Sequence, residues 1–245
     1  MNYPKPIFIP ETISTNTLLA EMCNKGHVLE LTSIYTAYQT SGRGQRGNGW
    51  ESEAGANLLF SFVVYPTFLE ANRQFLLSQI TALALYKVLS QYTDHISIKW
   101  PNDIYWKDKK LCGTLIENDL TGTFINRSIS GTGINLNQEK FVSNAPNPIS
   151  LKQITHQNYD PYAILIQSMQ WITHYYTLLK SGKTNEITTS YQTALYRKNG
   201  FYPYQDKEGI FYARICNVEE NGKLILEDEK SRKRTYLFKE VSFVL

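Results

Sequence analysis

Four short runs bring together residue types that bind anions or offer polar amides and hydroxyls to a ligand. The longest is Gln39-Thr40-Ser41-Gly42-Arg43-Gly44-Gln45-Arg46-Gly47-Asn48-Gly49-Trp50, with two arginines and no acid. Backbone amides bared by glycine, with guanidinium forks beside them, suit carboxylate or phosphate. The run is not a Walker A loop, because no Gly-Lys-Ser/Thr follows, and it lacks the strand–turn–helix setting of a dinucleotide fingerprint. A mobile surface loop and an Arg/Gly nucleic-acid segment remain open as alternatives. The second run is Lys99-Trp100-Pro101-Asn102-Asp103, followed by Lys107, Lys109, Lys110 and Gly113. It reads as a tight turn between strands. Lys110 stands where the chain turns apolar, at Leu111-Cys112-Gly113, which suits a lysine held at a buried anion or, equally, a solvated basic face. The third run, Ser130-Gly131-Thr132-Gly133-Ile134-Asn135-Leu136-Asn137, puts two glycines in a strand, the mark of a bulge or of a group lying against the backbone. The fourth, Ser14-Thr15-Asn16, also has the composition of an ordinary helix N-cap.

What is missing narrows the chemistry. His27, His95, His156 and His174 have no metal-ligand spacing with cysteine. No Gly-x-Ser-x-Gly elbow is present, so no covalent nucleophile stands out. The chemistry left is positioning of anions and stabilisation of charge.

Regular elements must hold these runs. Residues 17–25 read as a short helix ending at Gly26, and 28–37 as a strand leading into the glycine loop. Asn57–Tyr65 is an unbroken apolar run of strand length, and 72–92 has helical spacing through Leu77, Ile80, Ala84 and Val88. Strands follow at 96–99, 104–106, 111–118 and 123–134, then a turn-rich break from Asn144 to Pro148. A helix over 161–180 has Asp160 as N-cap and Pro161 at its first position; 184–197 continues as helix. Short strands at 210–218, 223–227, 234–238 and 240–245 suggest a small β-barrel or sandwich, with a boundary near 197–203. The pattern is α+β, with an all-β cap.

Composition agrees with an ordinary globular protein. The 245 residues are 42% hydrophobic and 19% charged, with a net charge of +3, too modest for a nucleic-acid tail. A chain of this size buries roughly 70–75% of its unfolded surface and needs no disulfide staple. Cys23, Cys112 and Cys216 are odd in number and far apart, which suggests reduced thiols in a cytoplasmic protein. No run of about 18 apolar residues and no signal-peptide pattern is present, so no membrane is expected.

In order, the runs Ser14-Thr15-Asn16, Gly42 through Trp50, Gly55-Ala56-Asn57-Leu58, Lys99 through Asp103, Lys110-Leu111-Cys112-Gly113 ending near Glu117, and Gly131-Thr132-Gly133-Ile134-Asn135 resemble the biotin–protein ligases (biotin–acetyl-CoA-carboxylase ligases). The resemblance is close over residues 12–137 and loose elsewhere. It implies biotinylation of a carrier lysine through biotinyl-5′-AMP. The implied fold is a mixed sheet with packed helices, like class II aminoacyl-tRNA synthetases. A small C-terminal SH3-like barrel is implied as well, dividing the chain into 1–197 and 198–245.

The resemblance also implies roles. Arg43 and Lys110 match the residues at the acyl phosphate. Ser14, Thr15, Asn16, Gln39, Gly42, Gly44, Gln45, Gly113, Gly131 and Gly133 match the surroundings of biotin. Arg46, Asn48, Trp50, Asn102 and Asn135 match the ATP side. Mg²⁺ is expected to be held mainly by ATP phosphates rather than by a dedicated protein site. The implied partners are biotin, ATP and the biotin carrier domain of a carboxylase, with a homodimer allowed.

Many relatives carry Arg where this chain has Gln45, and some where it has Asn48. Retention of the adenylate is therefore expected to rest on Arg43, Arg46 and Lys110. The ligase motifs begin by Ser14, so no DNA-binding winged helix and no DNA are expected. The 42–55 loop is expected to be mobile when empty and ordered by the adenylate. A lipoate–protein ligase and a nucleic-acid-binding module are the rival readings.

Overall fold

The structure, a computed structural model, describes residues 3–143 and 147–244, with the backbone but not the side chain of Arg46. Asn144–Pro146, part of the expected turn-rich break, lies outside the described residues.

Among the described residues, seven strands form one sheet in the order β1-β2-β3-β7-β6-β5-β4. They are β1 (Ile7–Thr12), β2 (Ser33–Gln39), β3 (Leu58–Val64), β4 (Ile96–Lys99), β5 (Asp103–Trp106), β6 (Lys109–Thr121) and β7 (Phe124–Ile134). β1 and β2 are parallel and the other pairs antiparallel, so the sheet is mixed. β3 is buried at every residue, as a strand without polar alternation must be when it is covered on both faces. Leu58, Phe60, Phe62 and Val64 face the main core under α2 (Phe75–Leu89) and α4 (Pro161–Lys180). Val63 faces the opposite side, packing with Ile34, Ile129 and Leu19 of α1 (Thr15–Lys25).

The helix boundaries follow local chemistry. Asp160 accepts from the Tyr162 amide at 2.9 Å, and Pro161 opens α4; Leu165, Met169, Ile172, Tyr176 and Leu179 are all buried. Ser14 takes the N-cap position of α1 but makes no side-chain capping bond there. Its neighbours Thr15 and Asn16 are buried in hydrogen bonds to other elements. α5 (Thr184–Thr193) ends earlier than the expected 197, because Ala194–Tyr196 instead line up beside β4: Ile98 donates to Ala194 O, and Tyr196 donates to Ile98 O.

Other departures have physical reasons too. Residues 28–32 are not strand: Thr32 donates back to Leu29 O and Leu31 has φ +63°, so β2 starts only at Ser33. The helix expected over 72–92 is a 3₁₀ turn at Ala71–Arg73 followed by α2. The short helix α3 (Leu151–Thr155), opened by a Ser150/Gln153 capping box, was not anticipated.

The second sheet is antiparallel, in the order β11-β10-β9-β8-β12. It contains β8 (Tyr202–Asp206), β9 (Gly209–Val218), β10 (Leu224–Asp228), β11 (Lys233–Tyr236) and β12 (Ser242–Phe243). β8 was not expected, and β12 is shorter than the predicted 240–245. The sheet packs against the first one: Trp100 Nε1 donates to Gly222 O at 3.0 Å, and the Phe238 ring meets Trp100 edge-on at 6.0 Å. No helix among the described residues is long and apolar enough to cross a membrane.

Candidate active site

One cavity of about 840 Å³ opens across β6 and β7, beneath the glycine loop. Its floor is made by strand register. Gly113 on β6 is paired with Gly133 on β7, and Leu115 with Gly131 two residues along. Without Cβ atoms these strands leave a slot that other groups fill. A methyl at Gly131 would collide with Asn16 Oδ1, and one at Gly133 with the Trp50 indole. At Gly113 it would come within 2.9 Å of Trp50 and 3.1 Å of Lys110. The floor therefore runs from the Asn16 amide to the Lys110 ammonium, over a step of roughly 6.6 Å along the strands.

At the Asn16 end a hydrogen-bond network fixes the side chains. Ser61 Oγ lies 2.7 Å from Thr15 Oγ1 and 2.6 Å from Asn16 Oδ1. Gln39 Oε1 accepts from the Thr15 amide at 2.8 Å. Asn16 Nδ2 donates to Glu117 Oε2 at 2.8 Å, and the same oxygen takes Arg43 Nη2 at 2.8 Å. Arg43 and Glu117 are each about two-fifths exposed, so their ion pair stabilises by only about 0–1 kcal/mol and leaves Arg43 easy to release to an anion.

At the other end Lys110 Nζ pairs with Asp103 Oδ1 at 2.8 Å and lies 5.7 Å from the Trp50 ring centre. Asn102 gives its amide to Thr114 O, and Asn135 gives its own to Ile149 O at 3.1 Å, and both residues line the cavity. Lys99 Nζ donates to the Tyr105 hydroxyl at 3.1 Å. Burial, then the neighbouring Lys110 and Arg197, lower its pKa against the pull of Asp103.

The loop folds back on itself above the floor. Trp50 N donates to Gly42 O at 2.9 Å, Gly44 N donates to Asn48 O at 2.6 Å, and Arg43 bridges Gly49. Gly42 lies so close to the Trp50 carbonyl that a Cβ would sit 2.7 Å away, and Gly47 takes φ +85°. Glycine is needed here for close approach at one position and backbone angle at another. Two buried polar atoms of the loop, Gln45 Oε1 and Trp50 Nε1, have no hydrogen-bond partner among the described residues. In a ligand site such atoms are the ones a bound molecule satisfies.

The residues to which the resemblance gave a role all line this cavity, apart from Arg46, whose side chain lies outside the described residues, whereas Gly47, Lys107, Lys109 and Asn137 of the same runs do not. The set is Ser14, Thr15, Asn16, Gln39, Gly42, Arg43, Gly44, Gln45, Asn48, Trp50, Asn102, Lys110, Gly113, Gly131, Gly133 and Asn135. Trp50, expected on the ATP side, lies on Gly133, one of the glycines expected beneath biotin. The sequence reading assigned no role to Ser61, Lys99, Asp103, Glu117 or Phe238. Ser61 carried a signal, a lone hydroxyl inside the apolar run of β3 that needs a buried partner. Phe238, 90 residues beyond Pro148, the next lining residue in the chain, carried none.

A sequence model of the Biotin/lipoate A/B protein ligase family matches residues 8–135, more than half of the chain. The chain belongs to this family. Among curated members, it is 34% identical over 110 residues to the bifunctional ligase/repressor BirA of Escherichia coli, covering 44% of this chain and 33% of that protein. It is 24% identical over 241 residues to BirA of Bacillus spizizenii, covering 92% of this chain and 70% of that one. The chain thus spans about a third of the length of the first family member. Among solved structures, a biotin protein ligase from Aquifex aeolicus in complex with biotin and ATP superposes with a TM-score of 0.80 at 25% identity, over 98% of both chains. The class II synthetase-like ligase fold is therefore that of this chain.

Proposed function

We propose that this chain is an ATP-dependent biotin–protein ligase, which joins biotin to a lysine of a carboxylase's biotin carrier domain through biotinyl-5′-AMP. The observation that carries the reading is the glycine floor, with a hydroxyl and amide network at one end and an ammonium at the other. A ureido ring needs both donors and acceptors, which Ser14, Thr15, Asn16 and Gln39 offer. A dithiolane ring has neither N–H nor C=O, so that end favours biotin over lipoate. The Aquifex aeolicus protein holds biotin and ATP on the same fold, which supports the assignment.

In the first step a biotin carboxylate oxygen attacks the α-phosphorus. The bond from that phosphorus to the bridging oxygen breaks, and pyrophosphate leaves with the electron pair. In the second step the carrier lysine amine attacks the acyl carbon, AMP leaves, and the amine loses a proton. The protein holds two anions in line and stabilises their charge. In this reading Lys110 meets the acyl and α-phosphate oxygens, Arg43 exchanges Glu117 for the phosphate, and Trp50 and Asn48 border the nucleotide. The donors available for Mg²⁺ are few: no cluster of three His, Cys, Asp or Glu occurs among the described residues. The Asp103 carboxylate and the Asn102 and Asn135 carbonyl oxygens fit a metal held mainly by phosphates. Mg²⁺ would supply neutralisation of phosphate charge.

Residues 198–245 are taken as an SH3-like domain and the location as cytoplasmic, and a homodimer is allowed. The nucleic-acid reading has less support, since Arg43 turns onto Glu117. A salt-dependent gel shift tests it and the expected absence of DNA binding.

The deciding experiment is ATP–pyrophosphate exchange with Mg²⁺, run with biotin and separately with lipoate. Exchange that requires biotin is the expected result. Exchange with lipoate alone keeps the chemistry and overturns the substrate, and no exchange with either overturns the ligase reading.

A further inference from the structure

Three cationic side chains described here line the cavity: Arg43, Lys99 and Lys110. Two have carboxylate partners, Glu117 and Asp103. Lys99 has none within ion-pair distance among the described residues; its one hydrogen bond goes to the neutral Tyr105 hydroxyl, which burial holds protonated. Its ammonium also lies 4.8 Å from the Tyr105 ring centre and 5.1 Å from that of Phe243. Aromatic faces stabilise a cation weakly and do not replace a counter-ion. Lys99 and Asp103 are directly paired across β4 and β5, yet Asp103 gives its charge to Lys110. Lys99 is thus a half-buried cation of the cavity wall without a carboxylate of its own among the described residues, and withdrawing an unmatched charge from water is costly unless a ligand supplies the match.

We propose that Lys99 is a catalytic residue of the first half-reaction only, binding the β- and γ-phosphates of ATP and stabilising the pyrophosphate as it leaves. The inference rests on the ligase reading above. As the bond between the α-phosphorus and the bridging oxygen breaks, negative charge grows on the departing pyrophosphate. A fixed ammonium there is worth more in the transition state than in the bound substrate. Lys110, beside the glycine floor and Asp103, sits where the acyl phosphate lies, and that group is present in both half-reactions. Lys99 stands on β4, two strands across the sheet from Lys110 on β6, and has no ligand anion to meet once pyrophosphate is gone.

The test separates the halves. Lys99→Met and Lys99→Arg are compared with the unaltered protein in two assays. One is acid-dependent ATP–pyrophosphate exchange. The other is transfer from synthetic biotinyl-5′-AMP to a purified biotin carrier domain. The expected result for Lys99→Met is an exchange rate about 100-fold lower, with transfer within about twofold of the unaltered protein. Lys99→Arg should recover most of the exchange. Equal loss in both assays would mean that Lys99 only holds Tyr105 and Phe243 in place, and would overturn the proposal, as would exchange unchanged in Lys99→Met. If the unaltered protein exchanges with lipoate but not biotin, the substrate reading fails. The Lys99 proposal then stands or falls on the same contrast with lipoyl-AMP. Exchange with neither acid would overturn both.

Discussion

Lys110 and Gly131 mark the two ends of the floor, and their substitution should separate chemistry from recognition. Lys110 offers an ammonium beside Gly113 and is three-quarters buried against Asp103. Removing one such donor typically costs about 2.7–4 kcal/mol of transition-state stabilisation. Lys110→Ala should therefore lose at least about 100-fold in exchange rate, with an unaltered circular dichroism spectrum. Near-normal exchange would remove Lys110 from the chemistry. Gly131→Ala acts at the other end, where the new methyl meets Asn16 Oδ1 and Ser61 Oγ. Gly131 has no positive φ, so strain comes from overpacking alone, on the order of 1–3 kcal/mol. Biotin affinity by calorimetry should fall roughly 5- to 150-fold while ATP binding stays close to normal. Unchanged biotin affinity would show that the ring does not sit over Gly131. Glycines in a strand and a lysine at its entrance marked this stretch in the sequence, but a bulge and a solvated basic face fitted them equally well, and only the family resemblance made them the two ends of one floor. The Glu117 and Ser61 contacts were not legible, because side chains 45 and 101 residues from Asn16 meet only once the sheet has formed.

At the scale of elements, legibility followed burial and continuity. β3, with its unbroken apolar run, and α4, with an N-cap, a proline and a clean apolar stripe, were readable at their ends as well as their middles. β1 was not, because Ile7–Thr12 is an edge strand interrupted by Pro10 and half exposed, so it lacks both alternation and length. β8 is not an edge strand, but Pro203 interrupts its five residues and hid it in the same way. α3 had a readable capping box, hidden in a turn-rich stretch. The β10–β11 turn makes a prediction of its own. Asp228, 4% exposed, accepts from the Lys230 and Arg232 amides at 2.9 and 3.1 Å, and from the Arg232 and Arg234 guanidinium groups. Burial alone would raise its pKa, but these donors outweigh burial and hold it at about 2. A carboxyl depressed in the folded state stabilises above its unfolded pKa of about 3.9 and loses that contribution as pH falls towards the folded value. Melting temperature should hold down to about pH 5 and drop between about pH 4 and 2. Asp228→Asn should melt lower at neutral pH and show a shallower acid limb. An identical acid limb in Asp228→Asn would assign the effect to other carboxylates, such as Glu30, whose pKa is also lowered.

At the scale of the molecule, the question is whether the second sheet is a separable part or a wall of the site. Its contacts argue for a wall. Phe238, from the stretch between β11 and β12, lines the cavity together with Trp100. Trp100 is 4% exposed and donates to Gly222 O across the junction. Phe75 of α2 packs under Gly222, where a Cβ would come within 3.0 Å of its ring. Arg73 and Glu220 close the seam with two hydrogen bonds, at 2.6 and 2.9 Å. Each of that pair is 39% exposed, so it contributes about 0–1 kcal/mol. Burial of aromatic side chains, worth roughly 1.5–3 kcal/mol each, dominates the junction. Tyr204, Ile215, Leu224 and Leu226 of the second sheet belong to the same buried cluster as Ile80 and Ile104 of the first part. Two parts that share a core should unfold together. Trp100 sits in the junction itself, so amide exchange over 58–64 reports on the first part and amide exchange over 224–236 on the second. Urea midpoints from the two probes should coincide, and saturating biotin with ATP should raise both by the same amount, because ligand binding to the intact cavity stabilises everything that forms it. An earlier midpoint for 224–236 would instead make 198–245 an independently folding domain, with Phe238 a replaceable rim of the cavity rather than part of its wall.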